Sequence, residues 1–186
     1  MSPQSPQDWA EEQATRIAQE VRRLRQLHGR SAQCIADRTA ELGYAVTRPV
    51  IADLENGRRK YVTAAELIML ARALNTTPIA LLHPDPLSDD SIEVLPGVKA
   101  SKTVALQWFS GEIDTPLPWI CDDADEYQGN LKPVEDARRI SELVEQKITL
   151  MNVFAERRTA DERRKAVPLI NDIQREIDKL RGTAGG

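Results

Sequence analysis

Apolar residues recur at helical spacing along most of this chain. Trp9, Ala14, Ile17, Ala18, Val21, Leu24 and Leu27 or His28 form one stripe. That stripe predicts a helix from about Pro6 to about His28. Ser5, Pro6 and Asp8 supply its start: an N-cap, a proline in the first turn and an acid at the positive end. The residues before it, Ser2-Pro3-Gln4-Ser5-Pro6, read as a short disordered lead. Gly29 is the stop. Ser31 opens a second helix with Ile35, Ala36 and Leu42 on its apolar face, and Gly43 ends it. Thr47 caps a third, whose inward positions are Val50, Ile51 and Leu54 and whose stop is Asn56-Gly57. Thr63-Ala64-Ala65-Glu66 is a capping box opening a fourth, with Leu67, Leu70, Ala71 and Leu74 facing inward. Thr77-Pro78 begins a short fifth helix through Leu82, and Pro84-Asp85-Pro86 closes the segment.

Residues 84–98 hold Pro84, Pro86, Pro96 and several acids, and read as a linker. Ser101–Gly111 admits two readings. Val104, Leu106 and Trp108 alternate as in a strand, whereas Val104, Ala105, Trp108 and Phe109 share a helical face. A cap at Ser101 and a stop at Gly111 favour the helix. Pro116-Leu117-Pro118 and Asp122–Glu126 read as loops. Two further helices are predicted, from about Pro133 to Arg158 and from about Ala160 to Arg181, with a second capping box at Thr159–Glu162. Ala166, Ile170, Ile173, Ile177 and Leu180 alternate steps of four and three, a heptad seam, with Pro168 expected to kink or restart the helix. Ala137, Ile140, Val144, Ile148 or Met151, and Phe154 or Ala155 are the facing residues of a helical hairpin. The predicted organisation is a five-helix segment over 1–83, an acidic proline-containing linker with a short helix over 84–130, and a C-terminal hairpin over 131–186. The fold class is all-α.

Composition agrees with helices. Aromatic residues make up only 4% of the 186 residues, which disfavours a β-sandwich or barrel. No apolar run approaches the ~18 residues of a membrane span, and the N-terminus lacks a basic start and an apolar core. With two cysteines (Cys34, Cys121) and two histidines (His28, His83), a disulfide framework or a His/Cys metal centre is not expected. The reading is a soluble, cytoplasmic, reduced protein without cofactor. The net charge of −4 is uneven. Residues 1–83 carry +2 (11 cations against 9 anions), residues 84–130 carry −8 (2 against 10) and residues 131–186 carry +2 (12 against 10). The acidic middle reads either as a solvated linker or as an interaction surface.

The most specific pattern lies in residues 17–82. Ser31-Ala-Gln-Cys-Ile-Ala36, Thr47-Arg-Pro-Val-Ile-Ala-Asp-Leu-Glu-Asn-Gly-Arg-Arg59, Ala65-Glu-Leu-Ile-Met-Leu-Ala-Arg-Ala-Leu74 and Thr77-Pro-Ile-Ala-Leu-Leu82 occur in that order. Together they resemble the xenobiotic-response-element (Cro/repressor-like) helix-turn-helix family of transcriptional regulators. The resemblance implies a lambda-repressor-like five-helix DNA-binding domain whose third helix enters the major groove. Between Ala36 and Gly43 this chain is longer than the family's usual run, which implies a longer second helix or a larger turn before Thr47.

A recognition helix needs small or polar residues on its outer face and apolar residues behind. Thr47, Arg48, Pro49, Ala52 and Asp53 suit the outer face. Arg48 is the candidate base reader, because guanidinium pairs bidentately with guanine; the alternatives are a phosphate contact or plain surface charge. Thr47 reads as the cap and a phosphate donor. Asp53 suits either a cytosine amino group or a neighbouring arginine, and Glu55 an arginine within the domain. Asn56 and the cations Arg58, Arg59 and Lys60 form a basic turn placed for phosphate. Gln33 resembles the family's backbone-contacting glutamine. Arg22, Arg23 and Arg25 read as solvated helix charges. Ile170, Ile173, Ile177 and Leu180 are the candidate dimerisation residues, since one helix-turn-helix reads few base pairs and two half-sites are the usual remedy.

No Gly-rich phosphate loop, HExxH or nucleophile elbow is present, so catalysis is not expected. The sequence therefore predicts a sequence-specific, repressor-like regulator, nucleoid-associated, binding double-stranded DNA as a homodimer. The rival is an adaptor of the same fold, antitoxin-like or a developmental scaffold, acting through a protein partner. The modest +2 of residues 1–83 is its best support, because DNA-binding domains are usually more basic.

Overall fold

The computed structural model describes residues 6–113, 117, 119–155 and 160–183. The expected Ser5 cap, the disordered lead at Ser2–Ser5, most of the Pro116–Pro118 loop and the Thr159 cap lie outside them. The described residues are mainly helical, with one small antiparallel sheet, and the chain divides into two compact units, Met1–Ile113 and Asp114–Gly186. None of the described helices is long and apolar enough to cross a membrane.

In the first unit, α1 (Pro6–Leu27), α2 (Ala32–Glu41), α3 (Arg48–Glu55), α4 (Ala64–Leu74) and α5 (Pro78–Leu82) enclose one core. Val21, Ile35, Ile51, Leu70, Leu74 and Leu81 are fully buried in it. Burying each such side chain contributes roughly 2 kcal/mol. The local signals act as the residue types require. Ser31 Oγ accepts from the Cys34 amide at 3.0 Å, and Thr63 and Glu66 make the reciprocal capping box. After α2 the chain makes a wide turn over residues 42–47. Gly43 takes φ +92 there, a left-handed conformation that side chains disfavour. The buried Thr39 hydroxyl holds the turn's far end, accepting from the Val46 amide at 2.9 Å and donating to the Ala36 carbonyl at 2.8 Å.

The expectation of a linker over 84–98, and with it a purely α chain, is corrected by a β-hairpin. β1 (Ser91–Leu95) and β2 (Val98–Ser101) pair antiparallel, with Ile92 opposite Ala100 and Glu93 opposite Lys99. Pro96-Gly97 is its two-residue turn, with Gly97 at φ +81. Ile92, Glu93 and Val94 are all buried, and the Glu93 carboxylate folds back to accept the Gly97 amide. Ser101 ends β2 and caps α6 (Lys102–Phe109) by accepting from the Val104 amide at 3.2 Å. The helical reading of 101–111 therefore holds. Trp9 Nε1 donates to the Glu93 carbonyl at 3.2 Å, tying α1 to the hairpin.

The second unit is built on α7 (Ala124–Ala155) and α8 (Ala160–Thr183), packed as a hairpin. α7 starts well before Pro133, where the sequence placed its beginning. The reason is Asp123, whose carboxylate accepts from the Asp125 and Glu126 amides at 2.9 and 3.0 Å. The acidic stretch read as loop thus holds a helix start, with Asp125 and Glu126 in the first turn at the positive end of the dipole. Pro133 and Pro168 both lie inside continuous helices, and both are exposed. Leu143 and Ile177 are buried between α7 and α8, and Arg139–Glu176 (2.9 Å) and Lys147–Gln174 (2.7 Å) bridge the helices.

Candidate nucleic-acid interface

α3 is anchored from behind. Ile51 and Leu54 are buried, and the Glu55 carboxylate receives both arms of Arg25 from α1 at 2.8 and 2.6 Å. Arg25 also donates to the Arg30 carbonyl at 2.9 Å. Arg25 is thus an interior clamp and not the solvated charge expected of it. Glu55 does pair within the domain.

The opposite face is open. Thr47, Arg48 and Pro49 are exposed, and Ala52 and Asp53 are partly so. Arg48 has no ion-pair partner among the described residues and stands at the first residue of the helix. Thr47 occupies the N-cap position in extended backbone (φ −68, ψ 155), but its hydroxyl makes no capping bond. That part of the sequence expectation is corrected. Among the described residues no side chain accepts from the α3 amides at this end, the condition under which a helix N-terminus attracts an anion. Gln33 is exposed on α2, its amide donating to Asp37 at 2.7 Å.

The basic turn separates into three different environments. Arg58 is exposed and lies 3.4 Å from Asp53, so Asp53 takes the arginine alternative. Lys60 is exposed and pairs with Glu11 at 3.1 Å. Arg59 turns inward. It meets Glu66 at 2.7 Å, with both side chains less than one-fifth exposed, and its guanidinium lies 4.3 Å from the centre of the Tyr61 ring. Burial pushes the Glu66 carboxyl up, but bonds from Thr63 and Arg59 outweigh it and hold its pKa below the ordinary value. Arg59 is therefore committed to holding the turn and is not displayed with Arg58 and Lys60. Asn56 is exposed and ends α3, its amide bonding to the Ala52 carbonyl at 3.0 Å. A groove of about 590 Å³ runs between α3 and the turn, lined by Val50, Asp53, Arg58 and Tyr61 among others.

Tyr61 is a surface residue that the sequence reading passed over. Its alternation with Arg59 in an extended segment was the available signal. The proposed dimerisation seam is only partly open. Ile177 is buried within the hairpin, while Ile170, Ile173 and Leu180 are half-buried. Comparison of the chain with protein-family models, curated proteins and solved structures found no match.

Proposed function

We propose that this chain is a sequence-specific regulator that binds double-stranded DNA through α3, in a lambda-repressor-like five-helix domain. One observation carries the reading: the open Thr47-Arg48-Pro49 turn begins a helix whose rear face is locked by Ile51, Leu54 and the Arg25–Glu55 pair. Arg48 reads a base edge, and Arg58 and Lys60 flank it as phosphate ligands. Their partners do not forbid this role. Exposed ion pairs are worth only about 0–1 kcal/mol, so a phosphate competes with Asp53 and Glu11. The protein acts as a homodimer, without catalysis or cofactor. Ile170, Ile173 and Leu180, with the half-exposed Ile148 and Met151, supply apolar surface on the helices of the second unit.

Selection of bound fragments from a random DNA pool tests the reading, followed by a salt titration. Two cationic phosphate contacts per subunit, Arg58 and Lys60, give a slope of log affinity against log salt of about −1.8 per subunit. Arg48→Ala costs about 1–3 kcal/mol and relaxes preference at one base pair. A pool that yields no enriched sequence, with unchanged weak binding in all variants, refutes it.

One observation favours the adaptor reading. Each cation of the turn already has an acidic neighbour, which leaves Arg48 as the only interface cation without one among the described residues. Under that reading the same face engages a protein, and binding is insensitive to added DNA.

A further inference from the structure

A second site lies beyond the basic turn, sharing Lys60 and Tyr61 with the groove beside α3, and it does not depend on the DNA reading. α1, the 60–64 segment, the end of α5, β1 and α6 surround a cavity of about 510 Å³. That lies within the range of about 300–1,000 Å³ typical of small-molecule sites. Its wall is mostly apolar and aromatic, with Trp9, Ile17, Leu67, Val94, Trp108 and Phe109 contributing. The exposed Lys60 and Tyr61 stand at its edge.

His83 is out of keeping with that wall. It lines the cavity at 6% exposure, and neither ring nitrogen has a hydrogen-bond partner among the described residues. Its ring meets Phe109 edge-on, with centroids 5.4 Å apart. Leaving a buried polar atom unpaired costs about 1–3 kcal/mol, a cost that a leucine here would avoid. Arg16 adds to the anomaly: its Nε and Nη2 are buried without a hydrogen-bond partner among the described residues, and its charge, partly offset by Glu12 and Glu93, acts on His83. Burial first, and that charge second, lower the His83 pKa from 6.5 to about 4. At neutral pH the ring is uncharged, offering one N–H donor and one acceptor. The cavity thus combines an apolar, aromatic interior, an unused imidazole and a nearby guanidinium whose positive field reaches that imidazole although Glu12 and Glu93 offset part of it.

We propose that this cavity binds a small planar aromatic acid, its ring against the aromatic wall and its carboxylate at His83 under the influence of Arg16. The carboxylate gives the imidazole N–H an acceptor and sits in the positive field that Arg16 casts on His83. The apolar wall takes up the ring. A neutral aromatic of the same shape satisfies only the second requirement.

The test uses the full chain with naphthoate and its neutral counterpart naphthamide, measured by titration calorimetry. Naphthoate is expected to bind at least about tenfold more tightly than naphthamide, the scale of one charge-assisted hydrogen bond. It also raises the melting temperature, and the rise continues with the logarithm of its concentration above Kd. His83→Leu keeps the position filled and apolar, and abolishes the preference for the acid while leaving naphthamide binding in place. Ala10→Phe, at an exposed α1 position on the cavity wall, blocks both ligands. Absence of binding by either probe overturns the proposal, as does equal binding of acid and amide in the unaltered chain. An undiminished preference in His83→Leu, or undiminished binding in Ala10→Phe, overturns it as well.

Discussion

Arg58 and Arg59 are adjacent in sequence and should behave as different kinds of residue when each is changed to alanine. The Arg58–Asp53 pair spans 3.4 Å with side chains 73% and 45% exposed. Such a pair contributes about 0–1 kcal/mol. The Arg59–Glu66 pair is 2.7 Å long with side chains 16% and 11% exposed. Breaking a buried pair costs about 3–5 kcal/mol when the surviving charge is orphaned. Glu66 is not wholly orphaned, because the Thr63 amide and hydroxyl still donate to it at 2.9 and 3.0 Å. Loss of the Tyr61 contact adds about 0.5–1 kcal/mol. The expected cost of Arg59→Ala is therefore about 2–3 kcal/mol in all. In urea that lowers the midpoint by about 1–2 M, against a few tenths for Arg58→Ala. Tryptophan fluorescence of the full chain reads both. The pH dependence supplies a check. Glu66 has a folded pKa below its unfolded value, so its stabilisation is complete above the unfolded value and is lost as pH falls through the folded one. The gap between the parent and Arg59→Ala should close in that acid range. In DNA binding the order reverses: Arg58→Ala reduces the salt slope by about 0.9 and Arg59→Ala leaves it unchanged. Equal midpoints for the two variants, or a salt slope that follows Arg59, refute the division of roles.

Further outcomes follow from other parts of the structure. His83 is neutral in the folded chain down to about 4 and protonates near 6.5 when unfolded, so stability falls by up to about 3 kcal/mol between those values as pH drops. Denaturant titrations across that window check this, and His83→Leu should remove the effect. Thr39→Val deprives the Val46 amide of its acceptor inside the core and should cost about 1–3 kcal/mol by urea unfolding, with the damage seen by amide exchange at residues 42–47. Ile177→Ala should destabilise the α7–α8 hairpin by about 2–5 kcal/mol, because that side chain is 2% exposed within one chain. A melting temperature that holds while sedimentation shows a lost dimer would instead place Ile177 between subunits.

The helices of the first unit were legible because each is defined by local chemistry. Ser31, Thr63 and Thr77 accept capping bonds from the helices that follow them, and Gly29, Gly43 and Gly57 take the positive φ that stops require. Strand β1 was obscured because its alternation is only five residues long and sits among prolines and acids. The turn signal, Pro96-Gly97, is present in the sequence but is indistinguishable there from linker composition. Asp123 likewise stands among neighbouring acids, although its carboxylate, accepting two amides, makes it a helix start.

The candidate sites show a sharper boundary to what local pattern reveals. Pro49, Ala52 and Asp53 could be placed on the outer face of α3 because helical periodicity fixes which positions oppose Ile51 and Leu54, and Thr47 and Arg48 could be placed at its open end because they begin the helix. The turn after α3 has no such periodicity. Whether Arg58 or Arg59 faces solvent is decided by the Glu66 carboxylate on α4, which a reading of the turn alone does not contain. The cavity is further still from any local signal. Trp9, His83 and Trp108 come from three separate elements, and each alone reads as ordinary core or surface. They converge because Trp9 bonds to the Glu93 carbonyl and thereby draws the hairpin and α6 into the first unit. The segment that the sequence presented as a linker is thus what closes the wall opposite α1. It also leaves a histidine buried without a partner, and that histidine is the one feature of the wall that packing alone does not explain.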